Sequence, residues 1–139
     1  MPRKFSSAER KQQILSVARS LFAKKGYAGT TLDDIARKAG ISRPRVLQLF
    51  GSKQRIYETI AETAYRDHPI DQDLSEHIEQ KHEFAVFEAI ATHILQHTQK
   101  PAEREIFKIL MDARLKEDRF HRTHFHRQDT LMISRLEEY

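Results

Sequence analysis

The sequence predicts an all-α protein, with an N-terminal helix-turn-helix domain followed by a second helical domain. Three observations indicate this fold class. Apolar residues recur at spacings of three and four along most of the chain. Thr30–Lys53 contains two short helical patterns joined at a glycine. The 66 residues from Pro69 to Ser134 contain no glycine, which is typical of long helices, and no run has the pattern of a strand.

The first predicted helix begins after Ser6 and runs to about Lys25. Ser6 and Glu9 have the spacing of a capping box, and Gly26 is a stop signal. The apolar face of this helix consists of Ile14, Val17, Ala18, Leu21 and Phe22. The basic segment 1–11 is open to two interpretations: a disordered tag, or an arm that contacts phosphate or the minor groove.

The second and third helices are predicted from their ends. Thr31 and Asp34 form a capping-box-like start, and Gly40 suits the left-handed conformation that ends a helix. Ser42 is a good N-cap for the third helix, and Pro44 is tolerated in its first turn. Side chains predicted to face inward from this helix are Val46, Leu49 and Phe50.

The outward face of the third helix has the chemistry of a groove-reading surface. It consists of Arg43, Arg45, Leu47 and Gln48. Arginine can bond bidentately to guanine, and glutamine to adenine. An ordinary solvated face is the alternative for two arginines alone. Their position within the pattern of Ala36, Gly40 and Val46 favours a helix-turn-helix instead.

Charge is divided unevenly along the chain. Residues 1–56 contain 13 Lys and Arg against 3 Asp and Glu, a net charge of +10. Residues 57–139 contain 11 against 17, a net charge of −6, so the total of +4 conceals the division. A basic N-terminal part is expected of a domain that binds phosphate, and an acidic remainder is expected to have another role.

Several residues at fixed spacing resemble the DNA-binding domain of the tetracycline-repressor (TetR) family of bacterial transcriptional regulators. The resemblance covers about residues 10–60. The matching residues are Leu21–Phe22, Gly26–Tyr27, Thr30–Thr31, Ile35–Ala36, Ala39–Gly40, Ser42, Phe50 and Ser52–Lys53. It implies a double-stranded operator DNA as partner, a homodimer, and a small-molecule effector.

The resemblance also implies roles for individual residues. Thr31 and its neighbouring amides would bind a phosphate, and Lys53 would bind another beside a helix N-terminus. The residues that would face base edges or sugars are Arg43, Pro44, Arg45 and Gln48.

Three departures from the family pattern predict an unusual DNA sequence. Leu47 stands where the family usually has tyrosine, so a phosphate contact is lost or replaced by an apolar one, for example to a thymine methyl group. Leu49 stands where an aromatic residue or histidine is frequent. Pro44 stands where small residues are commoner and alters the first turn.

The remainder of the chain is predicted to be helical. A connecting helix is predicted from Lys53 to about Arg66, so we expect the DNA-binding domain to cover 1–66. The resemblance to the TetR family implies that 67–139 are part of an effector-binding and dimerisation domain. Residues 67–73 have the pattern of a break. Further helices are predicted at 74–98, at 102–115 and from 117 onward. The chain ends inside the last helical pattern, so we expect a protein truncated at its C-terminus. The resemblance implies that the dimer interface is then missing.

The second domain offers candidate ligand residues but no motif. An effector pocket between its helices would be lined by Phe84, Phe87, Phe107 and Met111, although such apolar stripes are also typical of a core. His93 and His97 have i, i+4 spacing, and His121, His124 and His126 cluster with arginines. Without cysteine or an HExxH glutamate, we predict no metal site and interpret the pair as a polar face or pocket wall.

Other classes of protein are disfavoured. The sequence has no cysteine, no membrane-spanning run and no signal peptide, so we expect a cytoplasmic protein without a membrane partner. The resemblance to the TetR family implies that it is bacterial. It has no nucleophile elbow, phosphate loop or dinucleotide fingerprint, so we expect neither an enzyme nor a cofactor. The leading hypothesis is a ligand-responsive repressor that binds a palindromic operator as a dimer. The alternative is a helix-turn-helix module of another type, such as a recombinase head or a nucleoid-associated protein.

Overall fold

The computed structural model describes residues 5–67 and 83–115, together with the isolated positions 122, 134 and 137. Within these ranges every regular element is a helix, in agreement with the predicted fold class. The helices are α1 (Ser7–Lys25), α2 (Leu32–Ala39), α3 (Arg43–Phe50), α4 (Lys53–Asp67), α5 (Glu83–Thr98) and α6 (Pro101–Leu115). None of them is long and apolar enough to cross a membrane.

The chain divides into two units, Met1–Thr63 and Ala64–Tyr139. The division falls within α4, close to residue 66, after which the sequence predicts a domain boundary. That domain boundary stays a prediction.

The first unit is built around the apolar face of α1. This helix contacts α2 and α3, and α2 contacts α3. Fully buried side chains come from four helices: Ile14, Ile35, Val46 and Ile56. Burying a large aliphatic side chain contributes about 1.5–3 kcal/mol, so these four anchor the packing of the unit. Val17, predicted to face inward, is only half-buried.

The capping residues of α1 are those predicted. Glu9 N donates to Ser6 Oγ at 3.2 Å, and Ser6 N donates to Glu9 Oε2 at 2.8 Å. The C-terminus of α1 is closed by Gly26, whose amide donates to Phe22 O at 2.8 Å. These bonds satisfy amides and carbonyls that a helix terminus leaves without intrahelical partners.

The turn between α2 and α3 depends on Gly40. Its backbone is left-handed, with φ 67° and ψ 33°, as the sequence predicts. Gly40 N donates to Arg37 O, and Ile41 N donates to Ala36 O at 3.0 Å. The last carbonyls of α2 are therefore satisfied immediately before α3 begins, and the two helices pack against each other.

The second unit, in its described part, contains α5 and α6, which contact each other. Val86 on α5 and Ile109 on α6 are buried. The helix predicted at 102–115 begins one residue earlier, because Pro101 is the first residue of α6. Proline suits this position because its missing amide would have no helical partner there. The predictions for segments 68–82 and 117–139 lie outside the described residues, apart from the three isolated positions.

Gly29 provides a test of the loop between α1 and α2. A Cβ atom at this position would lie 2.4 Å from Lys25 O, a backbone atom. Gly29→Ala therefore forces the loop to move, and we expect the free energy of unfolding to fall by about 1–3 kcal/mol. Urea denaturation measures this change. Ala28→Ser, at an exposed neighbouring position, is the control and should change stability by less than about 0.5 kcal/mol. Equal stability of the two variants would contradict a requirement for glycine at position 29.

Candidate nucleic-acid interface

The start of α2 is organised by Thr31 and Asp34. Asp34 N donates to Thr31 Oγ1 at 3.0 Å, and Thr31 N donates to Asp34 Oδ2 at 3.2 Å. The hydroxyl of Thr31 is the acceptor for the Asp34 amide in this pair. Thr31 is exposed at a helix N-terminus. The geometry suits the predicted phosphate contact, because helix N-termini attract anions.

Asp34 is held in its ionised form. Hydrogen bonds from the Thr31 backbone and hydroxyl, followed by the charges of Lys25 and Arg37, lower the pKa of Asp34 below its ordinary value. The carboxylate lies 3.6 Å from Lys25 Nζ and 3.7 Å from Arg37 Nη2. Its negative charge is therefore balanced by two cations beside the predicted phosphate site.

The orientation of α3 is fixed by its N-cap and one buried side chain. Arg45 N donates to Ser42 Oγ at 3.3 Å, and Pro44 lies in the first turn. Val46 is fully buried, whereas Leu49 and Phe50 are half-buried. Four of the residues predicted to contact DNA from α3 are exposed: Arg43, Pro44, Arg45 and Gln48. Leu47, also predicted to lie on this face, is half-buried.

Two arginines on α3 have different partners. Arg43 Nη1 lies 3.5 Å from Asp33 Oδ2 on α2, in an ion pair whose side chains are both more than half exposed. Such exposed pairs contribute about 0–1 kcal/mol, so this contact can be exchanged for DNA at little cost. Arg45 Nη1 donates to Gln48 Oε1, one turn further along α3. Neither contact was predicted from the sequence.

Lys53 lies at the start of α4 and is bound to the loop before α2. Its ammonium donates to Tyr27 O at 2.8 Å and to Thr30 O at 3.0 Å, and lies 4.1 Å from the centre of the Tyr27 ring. The Tyr27 ring packs against Tyr57 at 5.1 Å and Phe22 at 5.8 Å between ring centres. An ammonium has three N–H donors, and these two bonds use two of them. They are therefore compatible with a phosphate contact by Lys53, which stays a prediction.

Gln13 is a further residue that was not predicted from the sequence. Gln13 Nε2 donates to Ala39 O at 3.3 Å, and Arg10 Nη1 donates to Gln13 Oε1 at 2.7 Å. These bonds join α1 to the last residue of α2, directly before Gly40. No local signal predicts them, because Gln13 and Ala39 are 26 residues apart.

Comparison with known proteins agrees with this geometry. Residues 14–60 match the family described as bacterial regulatory proteins, tetR family. These residues contain α2, α3 and the turn between them. The helix-turn-helix domain of this chain belongs to the tetR family. The resemblance inferred from the sequence is therefore confirmed.

Two regulators of Pseudomonas putida are similar over most of the chain. SrpR, an HTH-type transcriptional regulator, is 29% identical over 109 residues, which are 78% of this chain and 49% of SrpR. TtgW, an uncharacterized HTH-type transcriptional regulator, is 29% identical over 109 residues, 78% of each chain. The chain thus spans about half the length of SrpR.

A third relative is similar over the DNA-binding domain alone. The biofilm operon icaADBC HTH-type negative transcriptional regulator IcaR of Staphylococcus aureus strain Newman is 48% identical over 48 residues. These residues are 34% of this chain and 26% of IcaR. Of these three relatives, IcaR has the highest sequence identity, over the shortest aligned stretch.

The predicted ligand residues lie on α5 and α6, outside the tetR-type domain. Phe84 and Phe87 are 82% and 72% exposed, so the described part of the chain does not enclose them. Phe107 and Met111 are half-buried. The pocket formed by these four residues stays a prediction.

The histidines of α5 take part in a polar contact between α5 and α6. The rings of His93 and His97 are 4.3 Å apart between centres, and His97 Nδ1 lies 3.1 Å from Glu103 Oε2. Lys100 Nζ lies 3.2 Å from Glu103 Oε1, and this hydrogen bond is the main cause that lowers the pKa of Glu103. Within the described ranges no group of three potential ligands is arranged to hold a metal ion. His121, His124 and His126 lie outside them.

The capping pair at the start of α2 predicts a pH dependence of stability. Because folding lowers the pKa of Asp34, its carboxylate stabilises the folded state fully above its ordinary value of 3.8. This stabilisation is lost as the pH falls through the lower folded value. Asp34→Asn should therefore reduce the melting temperature at neutral pH, and the difference from the natural chain should shrink as the pH approaches about 2. Thermal unfolding followed by circular dichroism checks this. A difference that is the same at both pH values would contradict it.

Proposed function

We propose that the protein is a DNA-binding transcriptional regulator, and that it acts as a ligand-responsive repressor which binds a palindromic operator as a dimer. The observation that carries this proposal is the geometry of α3. Val46 anchors one face of this helix, while Arg43, Pro44, Arg45 and Gln48 are exposed on the other. A short helix presented in this way fits the major groove.

Electrostatics supports DNA as the partner. The net charge of +10 on residues 1–56 lies in the same part of the chain as α1, α2 and α3. Binding to phosphates releases counterions, so the affinity of such a surface for DNA falls steeply with salt. The two acidic residues at the start of α2, Asp33 and Asp34, are each paired with a cationic side chain. Their negative charges therefore do not prevent the binding of phosphates by this surface.

Relatives support regulation of transcription, and repression in particular. SrpR and TtgW are named as HTH-type transcriptional regulators, and IcaR as a negative regulator. The tetR-family match argues against a recombinase head or a nucleoid-associated protein. Repression follows physically from an operator-bound protein that occupies the DNA needed for transcription.

The proposed regulator acts as a dimer and binds an effector. Two copies related by a two-fold axis would place two α3 helices in successive major grooves, about 34–36 Å apart. An effector bound in the helical region after α4 would change this separation and thereby the affinity for DNA. The candidate effector contacts are the apolar side chains of α5 and α6 named above.

Protection of operator DNA tests the dimer. The protein should protect two half-sites of inverted sequence whose centres are about 10–10.5 base pairs apart, or a multiple of this spacing. Nuclease footprinting on a fragment selected for binding measures the pattern. A single asymmetric half-site, or protection with no sequence preference, would contradict binding as a symmetric dimer.

Arg45 tests direct reading by α3. Arg45→Ala removes an exposed side chain, so folding should be retained while binding to the preferred operator weakens by about 1–3 kcal/mol. Discrimination between bases at the contacted position should be lost. Fluorescence anisotropy with operator variants measures both effects, with Arg19→Ala on α1 as a control remote from α3 in sequence. Unchanged affinity and base preference in Arg45→Ala would exclude this residue from the reading surface.

Lys53 tests the phosphate contact and the loop together. Lys53→Met removes two hydrogen bonds from an ammonium, which should lower the free energy of unfolding by about 1–3 kcal/mol. It should also weaken all DNA sequences alike and reduce the slope of log affinity against log salt by about 1. Binding assays over a range of salt concentrations, at temperatures below unfolding, separate the two effects. An unchanged slope would show that Lys53 acts only through the loop.

A further inference from the structure

The last carbonyl of α2 is satisfied by a side chain from another helix. Carbonyls in the final turn of a helix have no partner within that helix. Gly40 N donates to Ala36 O and Arg37 O, so the chain after α2 satisfies these two. Ala39 O accepts from Gln13 Nε2 on α1, at 3.3 Å. Because Ala39 is buried, water is a poor substitute for this donor.

The amide of Gln13 is held from both sides. Arg10 Nη1 donates to Gln13 Oε1 at 2.7 Å, and a guanidinium has donors but no acceptor. The oxygen of the amide therefore faces Arg10, which leaves the amino group directed to Ala39 O. Arg10 and Gln13 are both half-buried, and the guanidinium of Arg10 also lies 4.6 Å from the centre of the Phe5 ring. Through this oriented amide, α1 holds the end of α2.

The end of α2 is also the place where α3 acquires its direction. Ile41 N donates to Ala36 O at 3.0 Å, and α2 packs against α3, so a shift of this end carries α3 with it. Lys53 is bonded instead to the carbonyls of Tyr27 and Thr30, which precede α2. Loss of the bond from α1 would therefore displace α3 relative to Lys53.

Reading of a DNA sequence is sensitive to such a displacement. Phosphate contacts fix the register of a protein on the duplex, whereas base contacts specify the sequence. Both sets must meet one duplex at the same time. The predicted phosphate contacts come from Thr31 and Lys53, and the predicted base contacts come from α3, so their relative position decides whether bases are read.

We propose that Gln13 is a positioning residue for sequence reading, which keeps α3 in register with the phosphate contacts by holding the end of α2 against α1. This inference rests on the proposed function and gives Gln13 no contact with DNA. Non-specific binding depends on the charge of the protein, and Gln13 is neutral. Loss of its bond to Ala39 O therefore weakens binding to the preferred operator more than binding to random DNA.

The test compares the full natural chain with Gln13→Met, which keeps a long side chain but removes the amide. Fluorescence anisotropy measures binding to a duplex selected by the natural chain and to a random-sequence duplex of equal length, over a range of salt concentrations. Circular dichroism sets a temperature at which each variant is folded. In Gln13→Met we expect the ratio of the two affinities to fall about three- to thirtyfold. The salt slope for random DNA should stay unchanged, because no charge is lost.

Two further variants separate positioning from a merely structural role. Gln12→Met is the matched control, since Gln12 is the adjacent glutamine on α1 and is exposed; it should change the ratio by less than about twofold. Arg10→Gln combined with Gln13→Lys keeps the net charge, supplies an ammonium donor for Ala39 O, and places an acceptor for that ammonium at position 10. This double variant should keep the ratio within about twofold of the natural value.

Each outcome decides the proposal. It is supported if Gln13→Met lowers the ratio while Gln12→Met and the double variant retain it. It is overturned if Gln13→Met loses stability but keeps the ratio, or if the folded double variant has a ratio as low as that of Gln13→Met. Should Gln13→Met not fold, the double variant decides alone, because a lowered ratio in that variant contradicts the proposal. If the natural chain itself does not distinguish any operator from random DNA, the proposed function fails, and that result differs from a ratio retained in Gln13→Met.

Discussion

An eight-residue helix is too short to be stable in water on its own, and α3 has only this length. Its shape must come from tertiary contacts, of which the burial of Val46 is the central one. Gly40 sets the direction in which the chain enters α3, and Ser42 caps its first turn. The remaining helices of the first unit therefore serve to hold one short helix with its polar side chains exposed.

Contacts around the loop before α2 hold the part of the DNA-binding surface where Thr31 is predicted to bind a phosphate. Lys53 connects the first turn of α4 to the carbonyls of Tyr27 and Thr30, and Gln13 connects α1 to the end of α2. Thr30 is fully buried, and its hydroxyl donates to Gly26 O at 2.9 Å. A displacement of the start of α4 would therefore be transmitted to Thr31, where a phosphate is predicted to bind.

Local rules were sufficient to predict the N-caps of α1, α2 and α3. Ser6, Thr31 and Ser42 were recognised as N-caps because capping depends on residues no more than three positions apart. Contacts across longer separations were not predicted, including those of Lys53 with a loop 23 to 26 residues earlier. The requirement for glycine at position 29 was also missed, because it arises from close approach to Lys25 and not from a turn type. For the second unit, periodicity predicted helices but gave no basis for the exposure of Phe84 and Phe87.

The proposed function depends on the exposed face of α3 reading base edges in the major groove. Methylation interference on a selected operator tests it most directly, because a methyl group on guanine N7 lies in the major groove and one on adenine N3 lies in the minor groove. If α3 reads the major groove, N7 methylation of one or more guanines in each half-site abolishes binding, while N3 methylation of adenines at the base pairs that α3 contacts has little effect. Binding that tolerates N7 methylation throughout the site would contradict the claim.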